Sequence, residues 1–258
     1  MLPARRMSSR RKARASLCGC ASRNDMKSLS LVIPVYGKGD VLESILGHVC
    51  HLKESAAKAG FGLIEVIVVD DGCPQPVDAA AGSSLVGGVP VVVLSNGRNR
   101  GKGYSVRRGA LAAKGEWVLM SDVDESVPLT DFDKLAPFAE KAIACGSRRG
   151  VKDGRPWHRR VLSWLFSIVN GTGLRDSQCG FKLFNMALMR AVFEGQKTER
   201  FAFDVELIRK APSVAEVPVA WRGGSRSSLR VWRDAPRMLW DLIRIRLASA
   251  VRLAGCSC

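Results

Sequence analysis

Four short apolar runs, Leu29–Val35, Leu63–Val69, Val89–Leu94 and Trp117–Met120, alternate with segments of helical spacing in the first half of the chain. Ile64-Glu-Val-Ile-Val-Val69 is nearly continuous and β-branched, the pattern of a strand buried on both faces. Between the first two runs, Val41, Leu42, Ile45, Leu46 and Val49 recur at helical spacing, with Asp40 as N-cap and Gly60 as stop. A second helix, Lys102–Lys114 closed by Gly115, separates the third and fourth runs. Strands alternating with helices predict an α/β fold, with a mostly parallel twisted sheet flanked by helices and joined by right-handed crossovers. Residues 72–88 lack an apolar period and read as a loop or short helix.

Beyond Asp124 the pattern weakens. Residues 130–144 read as a helix, and residues 157–170 are basic and then apolar. Val217-Pro-Val-Ala-Trp221 reads as a strand, placed at a sheet edge by Pro218. Leu229–Leu253 has a long helical pattern that Pro236 either kinks or starts. The chain therefore divides into a basic leader (1–27), an α/β domain (28–228) and a basic amphipathic helix with a tail (229–258). No segment holds the roughly 20 consecutive apolar residues that span a bilayer.

Charge changes this picture. A formal net charge of +16 over 258 residues calls for an anionic partner: nucleic acid, an acidic membrane surface or a phosphorylated substrate. Aromatic content of 7% and the lack of a recognition motif weigh against nucleic acid. The leader holds eight Lys and Arg against one acid, Asp25, and two readings are open, an organelle transit peptide or a basic tail. Eight cysteines form no C-x-x-C pair, as expected for reduced thiols in a reducing compartment. The Cys18/Cys20 and Cys256/Cys258 pairs lack partner spacing for zinc, and His48 and His51 around Cys50 read as helix surface or partial core.

Candidate chemistry sits where apolar runs end. Glu116-Trp-Val-Leu-Met-Ser-Asp-Val-Asp124 closes on two carboxylates, Asp122 and Asp124, which project to one side of an extended chain. Like charges so close call for a hard divalent cation, Mg²⁺ or Mn²⁺, also held by substrate phosphates; the alternative is a solvated acidic turn. Three other run ends are polar: Pro34-Val-Tyr36, Asp70-Asp71-Gly72 and Asn96-Gly-Arg-Asn-Arg-Gly-Lys-Gly103. Successive strand ends in one parallel sheet converge on a single edge, where α/β proteins bind ligands. The last of these is neither a Walker A loop, since Lys102 falls where a second glycine belongs, nor a full G-x-G-x-x-G, since Val106 takes the third position. What remains is a helix start rich in Arg and Lys, suited to a diphosphate.

Leu31-Val-Ile-Pro-Val-Tyr36, Val68-Val-Asp-Asp-Gly72, Asn99-Arg-Gly-Lys-Gly103 and Asp122-Val-Asp124 resemble the ordered motifs of family 2 glycosyltransferases with the GT-A fold. Asp176-Ser-Gln-Cys-Gly-Phe-Lys-Leu-Phe184, Glu199-Arg-Phe-Ala-Phe-Asp-Val-Glu-Leu207 and the Val217–Trp221 run resemble the dolichyl-phosphate β-glucosyltransferase group. The chain departs from the group's usual Asp-Ala-Asp-Gly at Val123 and Glu125, has a short stretch between Arg148 and Asp176, and shows no N-terminal membrane anchor.

The resemblance implies inverting transfer of a hexose from a nucleotide diphosphate sugar to a polyprenyl or dolichyl phosphate. UDP-glucose is the first donor expected and GDP-mannose the alternative. It places base and ribose against Pro34, Tyr36 and Asp70 or Asp71, the diphosphate near Lys102, and the metal on Asp122 and Asp124. Asp176 and Gln178 are expected in the catalytic wall and Lys182 beside the acceptor phosphate, unless the three form a buried polar network bracing Cys179 and Phe181. Arg148, Arg159 and Arg160 are candidate cations for the acceptor phosphate, or else ordinary surface charge. A lipid acceptor would also account for the basic charge. Residues 157–170 and 229–253, with Trp157, Trp164, Trp232 and Trp240, would then lie on an anionic membrane surface, on the cytosolic face of a compartment such as the endoplasmic reticulum. Cys256 and Cys258 are candidates for lipidation. Competing classes are a basic nucleic-acid-binding protein, a glycosyltransferase with another acceptor, and a sugar nucleotidyltransferase. The last needs a glycine-rich phosphate loop, which Pro34-Val-Tyr-Gly-Lys38 is not.

Overall fold

The computed structural model describes residues 26–37, 43, 45–77, 85–148, 171–222, 240–242 and 244–245. The leader up to residue 25, Asp40–Leu42, the 157–170 segment with Arg159 and Arg160, Trp232 and the terminal cysteines lie outside the described residues.

The first two apolar runs form β1 (Lys27–Val35) and β2 (Phe61–Asp70), joined through α1 (Val49–Lys58). A short hairpin follows, β3 (Leu85–Val86) and β4 (Val89–Ser95), and then α2 (Lys102–Ala112) and β5 (Trp117–Ser121). The rest comprises β6 (Ile143–Ser147), β7 (Phe181–Asn185), α3 (Met186–Glu194), α4 (Phe203–Lys210) and β8 (Val214–Pro218). The described strands form one sheet of order β3-β4-β2-β1-β5-β7-β6-β8. The pairs β1/β2, β1/β5, β2/β4 and β6/β8 are parallel, whereas β3/β4, β5/β7 and β6/β7 are antiparallel.

Sheet order fixes where a ligand can bind. The chain steps outward from β1 to β2 to β4, and α2 then carries it back across the sheet to β5 on the other side of β1. This reversal opens a crevice between the carboxyl ends of β1 and β5, the switch point of an open α/β sheet. Val35, Asp70 and Ser95 lie level across β1, β2 and β4, and Met120 of β5 pairs with Val32 of β1. Asp122 therefore emerges beside Pro34.

Both faces of the sheet are covered at β1, β2 and β5, which explains their near-continuous apolar runs. Leu29, Leu31, Ile33, Val35, Val66, Val68 and Leu119 pack toward α1, with Phe61, Phe132 and Phe181. Val32, Ile67, Val69, Val118 and Met120 pack on the opposite face beneath α2, α3 and α4, with Phe184, Phe193 and Phe203. Phe61 meets Trp117 and Phe132 edge to face, with centroids 5.5 and 5.2 Å apart. Each such ring contributes about 0.5–1.5 kcal/mol beyond its buried area.

Three expectations change. The helix expected over 130–144 is a chain of short turns, Leu129–Asp131, Phe132–Leu135 and Ala136–Phe138, followed by strand β6. Pro137 removes a backbone donor there, and Ile143–Cys145 pair with β7 instead. The 72–88 segment contains β3, whose hairpin turn is Gly87-Gly88. The expected strand at 217–221 starts earlier, at Val214, and Pro218 ends it at the sheet edge, where no ladder donor is needed.

Candidate active site

The site is assembled from four strand ends and the start of α2. Asp122 follows β5, and its backbone N–H donates to Gly180 O at 3.1 Å. Lys102, the first residue of α2, reaches across the crevice so that its Nζ lies 2.6 Å from Asp122 Oδ1. The carboxylate expected to hold a cation thus holds one, the lysine ammonium. Asp124 Oδ1 accepts from Ser126 N–H at 3.3 Å. Glu125 adopts φ 45° and turns elsewhere: Oε2 lies 2.8 Å from His48 Nδ1 and Oε1 accepts from Leu129 N–H. Among the described residues, no group of three or more His, Cys, Asp and Glu side chains could hold an ion.

Gly180 sets the orientation of Asp122. A Cβ there would stand 1.9 Å from Asp122 Oδ2 and 2.3 Å from its Cγ, so only glycine allows this approach.

Asp70 and Asp71 are buried, and each carboxylate fastens a loop. Asp70 accepts from the N–H groups of Cys73 (2.8 Å) and Val77 (3.3 Å). Asp71 Oδ1 accepts from Asn96 Nδ2 and Arg100 N–H, and Oδ2 from Gly101 N–H, all within 2.9 Å. Between them these bonds shape the turn after β2 and the approach to α2. Gly72, at φ 75°, packs so tightly on Arg98 that a Cβ would come within 2.4 Å of its carbonyl carbon. Of the β1 pair, Pro34 is half-buried and Tyr36 is 47% exposed at the mouth of the crevice.

On the other side, Arg148 follows β6 directly and grips Asp176 through a fork: Nε to Oδ2 and Nη2 to Oδ1, both 2.7 Å. Burial opposes the charge on each partner, yet the fork prevails, raising the Arg148 pKa and holding Asp176 below the usual carboxylate value. Asp122 lies near enough to add to the pull on Arg148. Glu216 of β8 accepts from the N–H groups of Arg175 and Asp176, both at 2.9 Å, and so fixes the loop that carries Asp176. Gln178 is half-buried in the same loop.

Lys182 takes a buried place at Cys179, as the polar-network alternative has it, but its partner is Asp204 and not Asp176 or Gln178. It is 1% exposed in the middle of β7, with Nζ 2.6 Å from Asp204 Oδ1 and bonded also to Cys179 O. Its ammonium faces the protein interior, because Lys182 lies level with Met120 and Cys145 on the sheet face that α4 covers. Cys145 and Cys179 lie beside it as buried thiols, and burial pushes Cys179 up to about 11. Asp204 and Glu216 are not singled out by the sequence, and Asn96 only as the start of a polar strand end. Asp204 and Glu216 lie in or beside quoted motifs, but their partners are remote in the chain.

Trp240 is 61% exposed, whereas Leu242 is buried against Ala202 and Val205. Among the described residues, no helix is long and apolar enough to cross a membrane.

Among solved structures, glucosyl-3-phosphoglycerate synthase from Mycobacterium tuberculosis in complex with Mn²⁺, UDP-glucose and phosphoglyceric acid shares this fold. Its TM-score is 0.60 at 16% identity, over 86% of this chain and 79% of that one. The fold is the GT-A architecture found among glycosyltransferases. Residues 30–194 match the model of glycosyl transferase family 2, and the chain belongs to that family. Proteins named dolichyl-phosphate beta-glucosyltransferase from Drosophila melanogaster and Dictyostelium discoideum are 34% and 33% identical to it. The matches cover 88% and 84% of this chain, and 78% and 73% of theirs.

Proposed function

We propose that this chain transfers glucose from UDP-glucose to a dolichyl or related polyprenyl phosphate, with inversion at the anomeric carbon. The observation that carries the reading is the meeting of Lys102, Asp122 and the Arg148–Asp176 fork at one switch-point crevice. Such a site suits a diphosphate on one side and a second phosphate on the other. The relatives' names supply the sugar and the lipid.

The base and ribose lie over the ends of β1 and β2, against Pro34 and Tyr36, on loops braced by Asp70 and Asp71. Lys102 leaves Asp122 for the diphosphate. Asp122 and Asp124 fit a divalent cation, since Asp122 already holds a positive group at 2.6 Å and substrate phosphates complete the ligand set of a hard ion. When bound, that cation would neutralise the charge developing on the departing nucleoside diphosphate. Arg148, braced through Nε and Nη2, keeps Nη1 outside the fork for the acceptor phosphate. Asp176 and Gln178 shape that wall. The acceptor is already anionic near neutrality, because a phosphate monoester's second pKa is about 6. Its oxygen attacks C1 as the C1–O bond to the diphosphate breaks and the electron pair leaves with the diphosphate; no protein base is required.

Residues 28–228 form the catalytic unit in this reading. The basic 229–258 segment, with exposed Trp240, rests on an anionic membrane, on the cytosolic face of the endoplasmic reticulum.

The test offers the full chain labelled UDP-glucose, GDP-mannose and UDP-N-acetylglucosamine, with a short polyprenyl phosphate or 3-phosphoglycerate, with and without Mn²⁺. Label from UDP-glucose should enter the lipid in a metal-dependent way. Label that enters only 3-phosphoglycerate, or no acceptor at all, overturns the reading.

A further inference from the structure

We infer that the buried Lys182–Asp204 pair is a positioning element for the donor-phosphate site, setting Asp122 from beneath through Gly180 and bracing the start of α2 through α4. The inference rests on the reading of Asp122 and Lys102 as that site.

Lys182 lies opposite Met120 of β5 and Cys145 of β6, at the centre of the antiparallel part of the sheet. Its ammonium donates to Cys179 O, the carbonyl of the peptide that leads into Gly180. That bond holds the 179–180 peptide plane. The next carbonyl, Gly180 O, receives the Asp122 N–H at 3.1 Å, and the Gly180 Cα faces the Asp122 carboxylate too closely for any side chain.

The other end of the pair reaches Lys102. Asp204 stands in the first turn of α4, next to Phe203. A Cβ on Gly103 would lie 2.6 Å from Phe203 Cβ, and one on Gly101 would lie 2.6 Å from Glu199 O. Tyr104 N–H donates to that same Glu199 oxygen at 2.9 Å. Lys102 thus sits between two glycines pressed onto the segment that leads into α4. Asp204 also feels the charges of Lys102 and Asp122 directly. One buried ion pair therefore touches the supports of both members of the Lys102–Asp122 pair.

A requirement for stability alone does not call for such a pair. Two buried charges lose their hydration, and apolar residues of similar volume are often as stable. An apolar pair fills the space but cannot direct the Cys179 carbonyl. Burial opposes the charge on Lys182, but the Asp204 carboxylate beside it prevails and raises the Lys182 pKa above its ordinary value.

The test uses the full chain carrying Lys182→Met, Lys182→Arg, or Lys182→Met with Asp204→Leu. Melting temperature, kcat, KM for each substrate and Mn²⁺ affinity in the presence of UDP, read by electron paramagnetic resonance, are compared with wild type. The double variant leaves no unpaired charge, so it should melt near the wild-type temperature while kcat falls about 100-fold, the cost of a misplacement near 1 Å. Mn²⁺ affinity with UDP should fall about tenfold, the effect of losing a supporting partner of a ligand. Lys182→Arg should recover part of both. A double variant with wild-type melting, kcat and Mn²⁺ affinity makes the pair merely structural. A rise only in KM for polyprenyl phosphate makes Lys182 an acceptor ligand. Either result overturns the inference. If the double variant does not fold, Lys182→Arg decides: unchanged kcat and Mn²⁺ affinity in a less stable protein overturns it. Asp122→Ala separates the two levels: if it keeps UDP-dependent Mn²⁺ binding and activity, the donor-site reading itself fails.

Discussion

Gly180→Ala adds one methyl group at the point where β7 meets Asp122. The new Cβ would stand 1.9 Å from Oδ2, whereas ordinary contact begins at 3.4 Å, so carboxylate or strand must give by about 1.5 Å. Asp122 is 31% exposed and can swing outward, so the clash is relieved mainly by turning the carboxylate off the crevice. Displacement beyond 1 Å at a reacting site costs on the order of 100-fold in rate, about 2.7 kcal/mol of transition-state stabilisation. The residual overpacking costs on the order of 1–3 kcal/mol of stability. Steady-state kinetics of glucosyl transfer, with thermal melting alongside, should show kcat/KM down about 100-fold in a protein that still folds. Because the effect acts through Asp122, Gly180→Ala should add little further loss of activity in an Asp122→Ala background. Wild-type kcat/KM in Gly180→Ala, or full additivity with Asp122→Ala, would refute the reasoning.

Lys102→Met should lower kcat/KM for UDP-glucose about 100-fold or more, as for loss of one preorganised charge contact. The same variant should bind Mn²⁺ more tightly without nucleotide, because the ammonium at 2.6 Å no longer competes for Asp122; titration calorimetry reads this. Arg148→Lys cannot reproduce the fork to Asp176, and KM for polyprenyl phosphate should rise about tenfold, while UDP binding, followed by fluorescence quenching, stays within about twofold. The pH dependence of unfolding follows from two depressed carboxylates, Glu206 and Asp176, whose ordinary values are 4.5 and 3.8. Each stabilises the fold above its ordinary value and loses that contribution as pH falls through its lower folded value. Urea midpoints should therefore be insensitive to these groups at neutrality and fall below about pH 4.5, and Glu206→Gln should flatten the upper part of that fall.

How much of this was legible in the sequence follows from the range of each interaction. β1, β2 and β5 announce themselves because burial on both faces forces near-continuous apolar runs, such as Val66–Val69, and β4 is apolar from Val89 to Leu94 although Pro90 and Val92 are exposed. Their ends were legible because the chemistry sits directly after each run. β6 and β7 were not. Ile143-Ala-Cys-Gly-Ser147 is short and small-sided, and it follows a stretch of helical spacing that Pro137 interrupts. Phe181-Lys-Leu-Phe-Asn185 carries a lysine that local pattern assigns to solvent, since its partner Asp204 lies 22 residues away. Likewise Asp71 could be placed at a strand end, but its bonds to Asn96, Arg100 and Gly101 arise only once β2 and β4 are side by side.

The most direct measurement of the central claim is the anomeric configuration of the product. UDP-glucose carries an α linkage, so inversion by an attacking lipid phosphate yields β-glucosyl phosphate. Proton NMR of the product formed by the full chain from UDP-glucose and a short polyprenyl phosphate, with Mn²⁺ present, is expected to show the large H1–H2 coupling of a β-glucoside. An α-linked product, or UDP release with no sugar on the lipid, contradicts the account.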